Sequence, residues 1–290
     1  MPKSNINMGL LTEHIECNQD EVFTDSDLER LFIERSREWN LPPSMTSFTF
    51  IRMLVTHTKL EKLQIRSTHY SSLVRYSWEG KASPIAVAVS LKRSQAFFSH
   101  ASAMWTHGLS DDKKHISLNN EQSEKPRNRG SLVQQAIDRA FQNQQRRSKL
   151  TYIYQGTTIT LLNGKHTGRI DIETVKTPTG QEVEVTSLER TLIDITVRPA
   201  YSGGIPRVLE VYKRARDGVS IAKLIVLLAK FNYTYPYHQS IGFYLKRARY
   251  SESDQLLAKA SGVQFNFYRC HGPRNPAFDS AACTRLCDSL

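Results

Sequence analysis

The chain has little cysteine, no long apolar run and none of the short signatures of nucleotide or metalloenzyme chemistry, and each absence narrows what it can be. Four cysteines in 290 residues, Cys17, Cys270, Cys283 and Cys287, are too few and too scattered for a disulfide scaffold. Cys270-His271 with Cys283 and Cys287 has metal-ligating residue types, but the spacing fits no common zinc pattern, so reduced thiols and no metal are expected. No apolar run approaches the roughly 20 residues that span a bilayer. Residues 1–21 lack the basic, apolar, small-residue order of a secretion signal, which predicts a cytoplasmic protein with no membrane partner. No repeat or low-complexity tract is present, and the length admits one large or two ordinary domains.

The sequence also lacks G-x-x-x-x-G-K-[ST], G-x-G-x-x-G after a strand, G-x-S-x-G and H-E-x-x-H, so no cofactor is expected. Asp171 and Glu173 form a D-x-E on a predicted strand, and two such carboxylates can hold Mg²⁺. A nucleotidyltransferase needs a Gly-Ser turn closely upstream, whereas Gly130-Ser131 lies far upstream, ahead of a helix. A metal-dependent nuclease on Asp171 with Glu182 or Glu184 lacks the lysine two residues on, because the chain continues Val183-Glu184-Val185-Thr186. Alternating Glu and Thr is more simply the solvated face of a strand, and no catalysis is expected.

Positive charge is what the chain has in excess. The net charge is +11, and a basic chain favours an anionic partner, most often nucleic acid. Residues 1–90 carry 10 Lys and Arg against 11 Asp and Glu, yet the acids crowd before residue 40. Residues 41–90 hold Arg52, Lys59, Lys62, Arg66, Arg75 and Lys81 against only Glu61 and Glu79.

That basic stretch falls on a suggestive order of elements. Leu10, Leu11 and Ile15 mark a short amphipathic segment. Thr24 or Ser26 caps a second helix carrying Leu28, Leu31 and Phe32, which ends by Leu41-Pro42-Pro43. Ser44 or Thr46 caps a third, with Phe48, Ile51 and 53–55 on its apolar face and Ser47, Thr49 and Arg52 pointing outward. Residues 64–78 are β-branched and aromatic around a polar centre, which predicts a hairpin. Three helices and a hairpin are the order of a winged helix-turn-helix, here residues 1–84. In that fold the third helix enters the major groove and the hairpin touches the backbone or minor groove. Ser47, Thr49 and Arg52 would then lie near base edges, Lys59, Lys62, Arg66 and Arg75 against phosphates, and His69 and Tyr70 at the wing tip. The plainer alternative is a helical cap with solvated lysines, or a winged helix that contacts protein.

Residues 85–290 read as a second, mixed α/β domain, so the fold class is α+β overall. His100 and His107 are seven apart and suit packing or capping better than liganding. Residues 110–130 are a basic loop with a possible strand at 116–118, and 131–147 a helix burying Leu132, Val133, Ala136, Ile137, Ala140 and Phe141. Strands are expected at 151–154, 157–162 and 169–175. In 182–215, Val183 and Val185 alternate as a strand. Thr186 with Glu189 reads as a capping box, and Arg190, Asp194 and Arg198 form an i, i+4, i+8 ladder that supports a helix. Pro199 stops that helix, and Gly203-Gly204 turns into the next. Further helices at 220–230 and 253–260 flank an aromatic run, and 263–269 reads as a last strand. Tyr233, Tyr235, Tyr237, Phe243, Tyr244 and Tyr250 can stack bases but suit a core better.

Four ordered segments carry a family resemblance: FFSHASAMWTHGL, VTSLERTLIDITVRP, GGIPRVLEVYKRA and YPYHQSIGFYLKRA. Together they cover about residues 97–250 and resemble the C-terminal domain of the AbiEi antitoxins. The N-terminal winged helix matches that family in architecture rather than motif. The resemblance implies the antitoxin of a bacterial type IV toxin–antitoxin pair, some of which act in phage defence. Such a protein represses its own operon at promoter inverted repeats in double-stranded DNA. It also counteracts a nucleotidyltransferase-like toxin without needing a stable complex. The rivals are a stand-alone winged-helix regulator and a divergent nuclease on Asp171 and Glu184.

Overall fold

A computed structural model describes residues 6–17, 22–93, 95–124, 133–142 and 145–262. In chain order its first elements are α1 (Met8–Cys17), α2 (Asp25–Arg35), α3 (Ser47–His57), β1 (Leu60–Ser67), β2 (Leu73–Trp78) and α4 (Pro84–Leu91). Then come β3 (Phe97–Phe98), α5 (Ala101–Thr106), β4 (His115–Glu121), α6 (Gln134–Gln142), β5 (Thr151–Tyr154) and β6 (Thr157–Gly164). The chain continues through β7 (Ile172–Lys176), β8 (Glu182–Thr186), α7 (Leu188–Val197), a 3₁₀ turn (Pro199–Tyr201), α8 (Ile205–Ala215), α9 (Ile221–Phe231), α10 (Tyr237–Arg247) and α11 (Glu252–Ala260). The chain is thus mixed α and β. Two compact units divide it, one of residues 1–94 with 149–160 and one of 95–148 with 161–290.

The first unit contains the expected three helices and hairpin, but its limits differ from 1–84. Arg75 on β2 donates from Nε to Ser90 Oγ on α4 at 3.3 Å, and the Tyr154 hydroxyl donates to the Ala82 carbonyl at 3.4 Å. These bonds draw α4 and the β5–β6 segment into this unit. The hairpin pairs antiparallel from Leu60↔Trp78 to Ile65↔Leu73. It is not a free two-stranded wing, because β1 also pairs with β5 at Arg66↔Ile153 and Ser67↔Tyr152, giving the order β2-β1-β5-β6.

Helix starts follow the expected capping chemistry. Thr24 caps α2 and Thr46 caps α3, each in a reciprocal box with the residue three on. The core beneath contains Phe50, Leu54, Leu60 and Trp78, with the Trp39 and Phe50 rings stacked at 5.9 Å. Phe48, expected on the buried face, is 72% exposed. Phe50 and Leu54, four apart, set the inward face, and Phe48 lies half a turn from Phe50.

The second unit holds the strand order β6-β4-β3-β8-β7, with the last residues of β6 belonging to it. β3 and β8 run parallel, paired at Phe98↔Val185. Gly164 lets β6 approach β4 closely, since a Cβ there would collide with the Asn119 side chain. Helices α7 to α11 pack their apolar faces into one core around Leu192, Tyr212, Leu224, Ile241 and Tyr244. The 131–147 helix is shorter than expected, with Ile137 buried but Val133 and Ala136 exposed. Leu132 and the proposed strand 263–269 lie outside the described residues, as do the side chains of Ala140 and Phe141.

The α7 cap also differs from expectation. Ser187, not Thr186, is the N-cap and accepts from the Arg190 N–H at 3.2 Å. Thr186 Oγ1 instead pairs with Thr191 Oγ1 at 2.8 Å. Glu189 reaches away to accept from Ser220 N–H at 3.1 Å and Lys223 Nζ at 2.9 Å, pinning the start of α9. The reason is tertiary: Glu189 finds a distant cation and a helix-start N–H that together outweigh the local box.

Candidate nucleic-acid interface

The outward face of α3 carries Phe48, Arg52 and Thr56 at i, i+4, i+8. Arg52 is exposed and, among the described residues, forms no ion pair. The two other candidates on α3 are partly engaged. Ser47 Oγ donates to Glu29 Oε1 at 3.3 Å, and the Thr49 hydroxyl sits inside the cap, accepting from Thr46 N–H at 2.9 Å. Thr49 is therefore a helix-start residue before it is a base reader.

On β1, strand alternation sorts the remaining basic residues. Leu60, Lys62, Gln64 and Arg66 share one face, while Leu63 and Ile65 are buried on the other. Lys62, Gln64 and Arg66 are all exposed. Arg75 lies opposite Leu63 on the other face, half-buried, with NH1 donating to the Val74 carbonyl at 2.8 Å. Burial lowers its pKa against the pull of Asp25 and Asp27. The structure thus separates Arg75 from Lys62 and Arg66, because residues facing one another across a strand pair share a face and Leu63 faces inward.

Lys59 is exposed, but its Nζ bonds Glu79 Oε1 at 2.7 Å, and Lys81 bonds the same carboxylate. Hydrogen bonds from both lysines hold the Glu79 carboxyl down at about 2, so it stays ionised and offsets their charge. His69 and Tyr70 are exposed at the hairpin tip, where both backbone N–H groups donate to Ser67 Oγ, at 3.3 and 3.1 Å. Ser67 Oγ in turn donates to the Thr151 carbonyl at 3.2 Å, fixing the tip on β5. Phe48, Thr56 and Gln64 were not among the expected interface residues, though helical spacing from Arg52 and strand alternation between Lys62 and Arg66 point to them.

The other candidates do not converge. Asp171 lies before β7 with a left-handed φ of 61°, bonded to the Ser187 hydroxyl and 3.3 Å from Lys223 Nζ. Glu184 pairs with Arg169, and Glu182 faces Lys176 at the far end of the β7–β8 hairpin. Each of these carboxylates has its own environment, so Asp171 and Glu184 are not assembled as a pair. Among the described residues no group of His, Cys, Asp and Glu could hold a metal ion, and Cys270, His271, Cys283 and Cys287 lie outside them. His107 bonds the Thr186 carbonyl at 2.7 Å, and Tyr244 and Tyr250 are buried in the core.

The segments that carry the family resemblance are internal locks. Ser102 Oγ accepts from the Ser117 N–H at 2.6 Å, tying α5 to β4. Arg190 is only 1% exposed. It bonds Glu121 at 3.0 Å and the Ile170 carbonyl, and its guanidinium lies over Phe97 and Phe231 at 4.8 and 5.1 Å. Asp194 Oδ2 is 3.7 Å from Arg190 Nε, and burial pushes its carboxyl up to about 6 against the pull of Arg190 and Arg198. His100 accepts or donates at Nδ1 with Ser99 Oγ at 2.9 Å. Burial, then Arg198 and Arg190, depress it to about 3. Arg190 and Asp194 of the expected ladder thus lie in a buried charge cluster with Glu121, while Arg198 is half-buried.

No protein-family model matches the sequence, and no curated protein matches it either. The fold is similar to that of the RV2827C protein from Mycobacterium tuberculosis, known from a crystal structure. The TM-score is 0.54 at 15% identity, over 88% of this chain and 81% of that one. At that identity the likeness concerns the fold alone. Among the described residues no helix is long and apolar enough to cross a membrane.

Proposed function

We propose that the chain is a DNA-binding antitoxin that represses its own operon and counteracts a nucleotidyltransferase-like toxin. The observation that carries the DNA reading is the cationic set of the first unit that forms no ion pair among the described residues: Arg52 on the open face of α3, with Lys62 and Arg66 flanking Gln64 on β1. Cations free of carboxylates can replace the counterions condensed on duplex phosphates, which is the main source of affinity. In this reading Arg52 donates to a guanine edge in the major groove and Phe48 lies against a thymine methyl. Lys62 and Arg66 contact phosphates, and His69 and Tyr70 follow the backbone at the hairpin tip. Lys59 contributes less, because Glu79 already neutralises it. The antitoxin role rests on the four AbiEi-like segments, and the reading assigns the chain no reaction of its own and a cytoplasmic place.

The test is a gel-shift titration of the full chain on the DNA upstream of its own reading frame. Replacing Arg52, Lys62 and Arg66 together by alanine should abolish specific binding and reduce the salt slope by about 0.9 for each phosphate no longer neutralised. Arg52→Ala alone should relax sequence preference by about 1–3 kcal/mol at the base pair it reads. Unchanged affinity in the triple variant would refute the interface. Co-expression with the product of the adjacent gene tests the antitoxin role, and toxicity unrelieved by this chain would refute that part.

A further inference from the structure

Helix α11 of the second unit is apolar on two faces. Ala258 is buried and marks the inward one: a Cβ on Gly242 of α10 would stand 3.7 Å from the Ala258 Cβ. At about 100° per residue, Leu256 and Ala260 fall nearly opposite Ala258, with Leu257 and Ser253 beside them. Leu256 is 61% and Leu257 42% exposed, and Ser253 and Ala260 are exposed as well. Glu252 and Lys259 run along one edge of this row, and no charge interrupts it. Helix α9, packed beside α11, likewise turns Ala222, Val226 and Ala229 outward. A helix at the surface of a globular unit ordinarily sets a polar face to water. Adjacent exposed leucines on an uncharged row mark a surface that something covers.

The chain itself supplies a fitting cover. Its last described residue, Gly262, is pressed against α10, since a Cβ there would stand 3.0 Å from His238 Cε1. Val263, Gln264, Phe265, Asn266, Phe267 and Tyr268 follow at once, with apolar side chains at Val263, Phe265 and Phe267. That alternation gives an extended segment one apolar edge. Six extended residues span about 20 Å. The row from Ser253 to Ala260 is about 10 Å long, so the segment can turn back after Gly262 and still cover it. The row also carries no charge that would select a charged partner. A segment tethered at Gly262 acts at an effective concentration on the order of millimolar, which favours it over a second copy of the chain in dilute solution.

We propose that residues 263–268 fold back over the outward face of α11, with Val263, Phe265 and Phe267 against Leu256, Leu257 and Ala260. The site is independent of the DNA reading, which rests on the first unit. The test uses the full chain, followed by amide hydrogen exchange, fluorescence of a dye that binds exposed apolar surface, and light-scattering mass at several concentrations. In the wild type, the amides of residues 263–268 should exchange at least about tenfold more slowly than in an unstructured peptide. Replacing Phe265→Ser and Phe267→Ser together should raise dye fluorescence and speed exchange over Leu256–Ala260 about tenfold. Adding Leu256→Ser and Leu257→Ser to that variant should remove the dye signal again. Exchange of 263–268 at the peptide rate overturns the proposal, and so does dye binding that is equal in the wild type and the phenylalanine variant. A wild-type mass that grows with concentration, and falls to one chain in Leu256→Ser with Leu257→Ser, also overturns it and gives the face to a second copy.

Discussion

The two units use the same charged residues in opposite ways. In the first, Arg52, Lys62 and Arg66 stand in water, and the Lys59–Glu79 pair is a surface bond. In the second, Arg190, Glu121 and Asp194 are enclosed, with Arg190 clamped by a carboxylate, a carbonyl and two aromatic rings. Surface pairs are worth about 0–1 kcal/mol because water and salt screen them. A buried pair adds little net stability over an apolar replacement, but breaking it leaves a charge with no solvent. Arg52, Lys62 and Arg66 of the first unit are therefore available for a partner, and the enclosed cluster of the second holds one arrangement of the chain.

The contrast breaks most visibly at Arg190. Arg190→Leu removes the buried cation between Glu121 and Asp194, although Glu121 keeps its bonds from Thr167 and the Arg169 N–H, and should lower the unfolding free energy by about 3 kcal/mol in urea titrations. A drop below about 1 kcal/mol would mean that the cluster is wetter than its burial indicates.

His100 sharpens the same point through pH. Its pKa is depressed in the folded chain from the ordinary 6.5 to about 3, so the unfolded chain binds the proton first. Its contribution is complete above about 6.5 and is lost as pH falls toward about 3. Asp194, raised from 3.8 to about 6, acts oppositely: it binds its proton in the folded chain first, so acidification through that window favours folding. Between about pH 7 and pH 5 the wild type should therefore lose about 2 kcal/mol more stability than His100→Gln, which keeps the Asp194 response. Equal losses in urea unfolding at the two pH values would exclude His100 as the acid-sensitive group.

Arg75 separates packing from binding within the first unit. Arg75→Ala should cost about 1 kcal/mol, from its bonds to Ser90 and the Val74 carbonyl, and leave the DNA salt slope unchanged. Lys62→Ala should do the reverse. The smallest effect belongs to Lys59→Ala, whose exposed pair with Glu79 should leave the thermal or chemical unfolding midpoint unchanged.

Much of this was legible locally. The caps at Thr24 and Thr46 follow from side chains that bond three residues from themselves, and the hairpin and most strands from two-residue alternation bounded by turn residues. The errors came where two local readings compete. Phe48 suited the apolar face of α3 as well as Phe50 does, and only the packing against Trp39 chose between them. Thr186 and Ser187 were both acceptable caps. Arg75 looked like its basic neighbours, because a sequence does not say which face of a strand a fourth helix will cover.

By itself the sequence determined the order of the three helices and the hairpin of the first unit and the basic surplus after residue 40, since composition and short periodicity are properties of neighbours along the chain. Which charges are exposed and which enclosed was decided only by the tertiary structure. Arg190 meets Glu121 across 69 positions of sequence, and Gln145 meets Val197 across 52. Burial depends on what folds over a residue, and that is set by long-range packing that no local pattern contains.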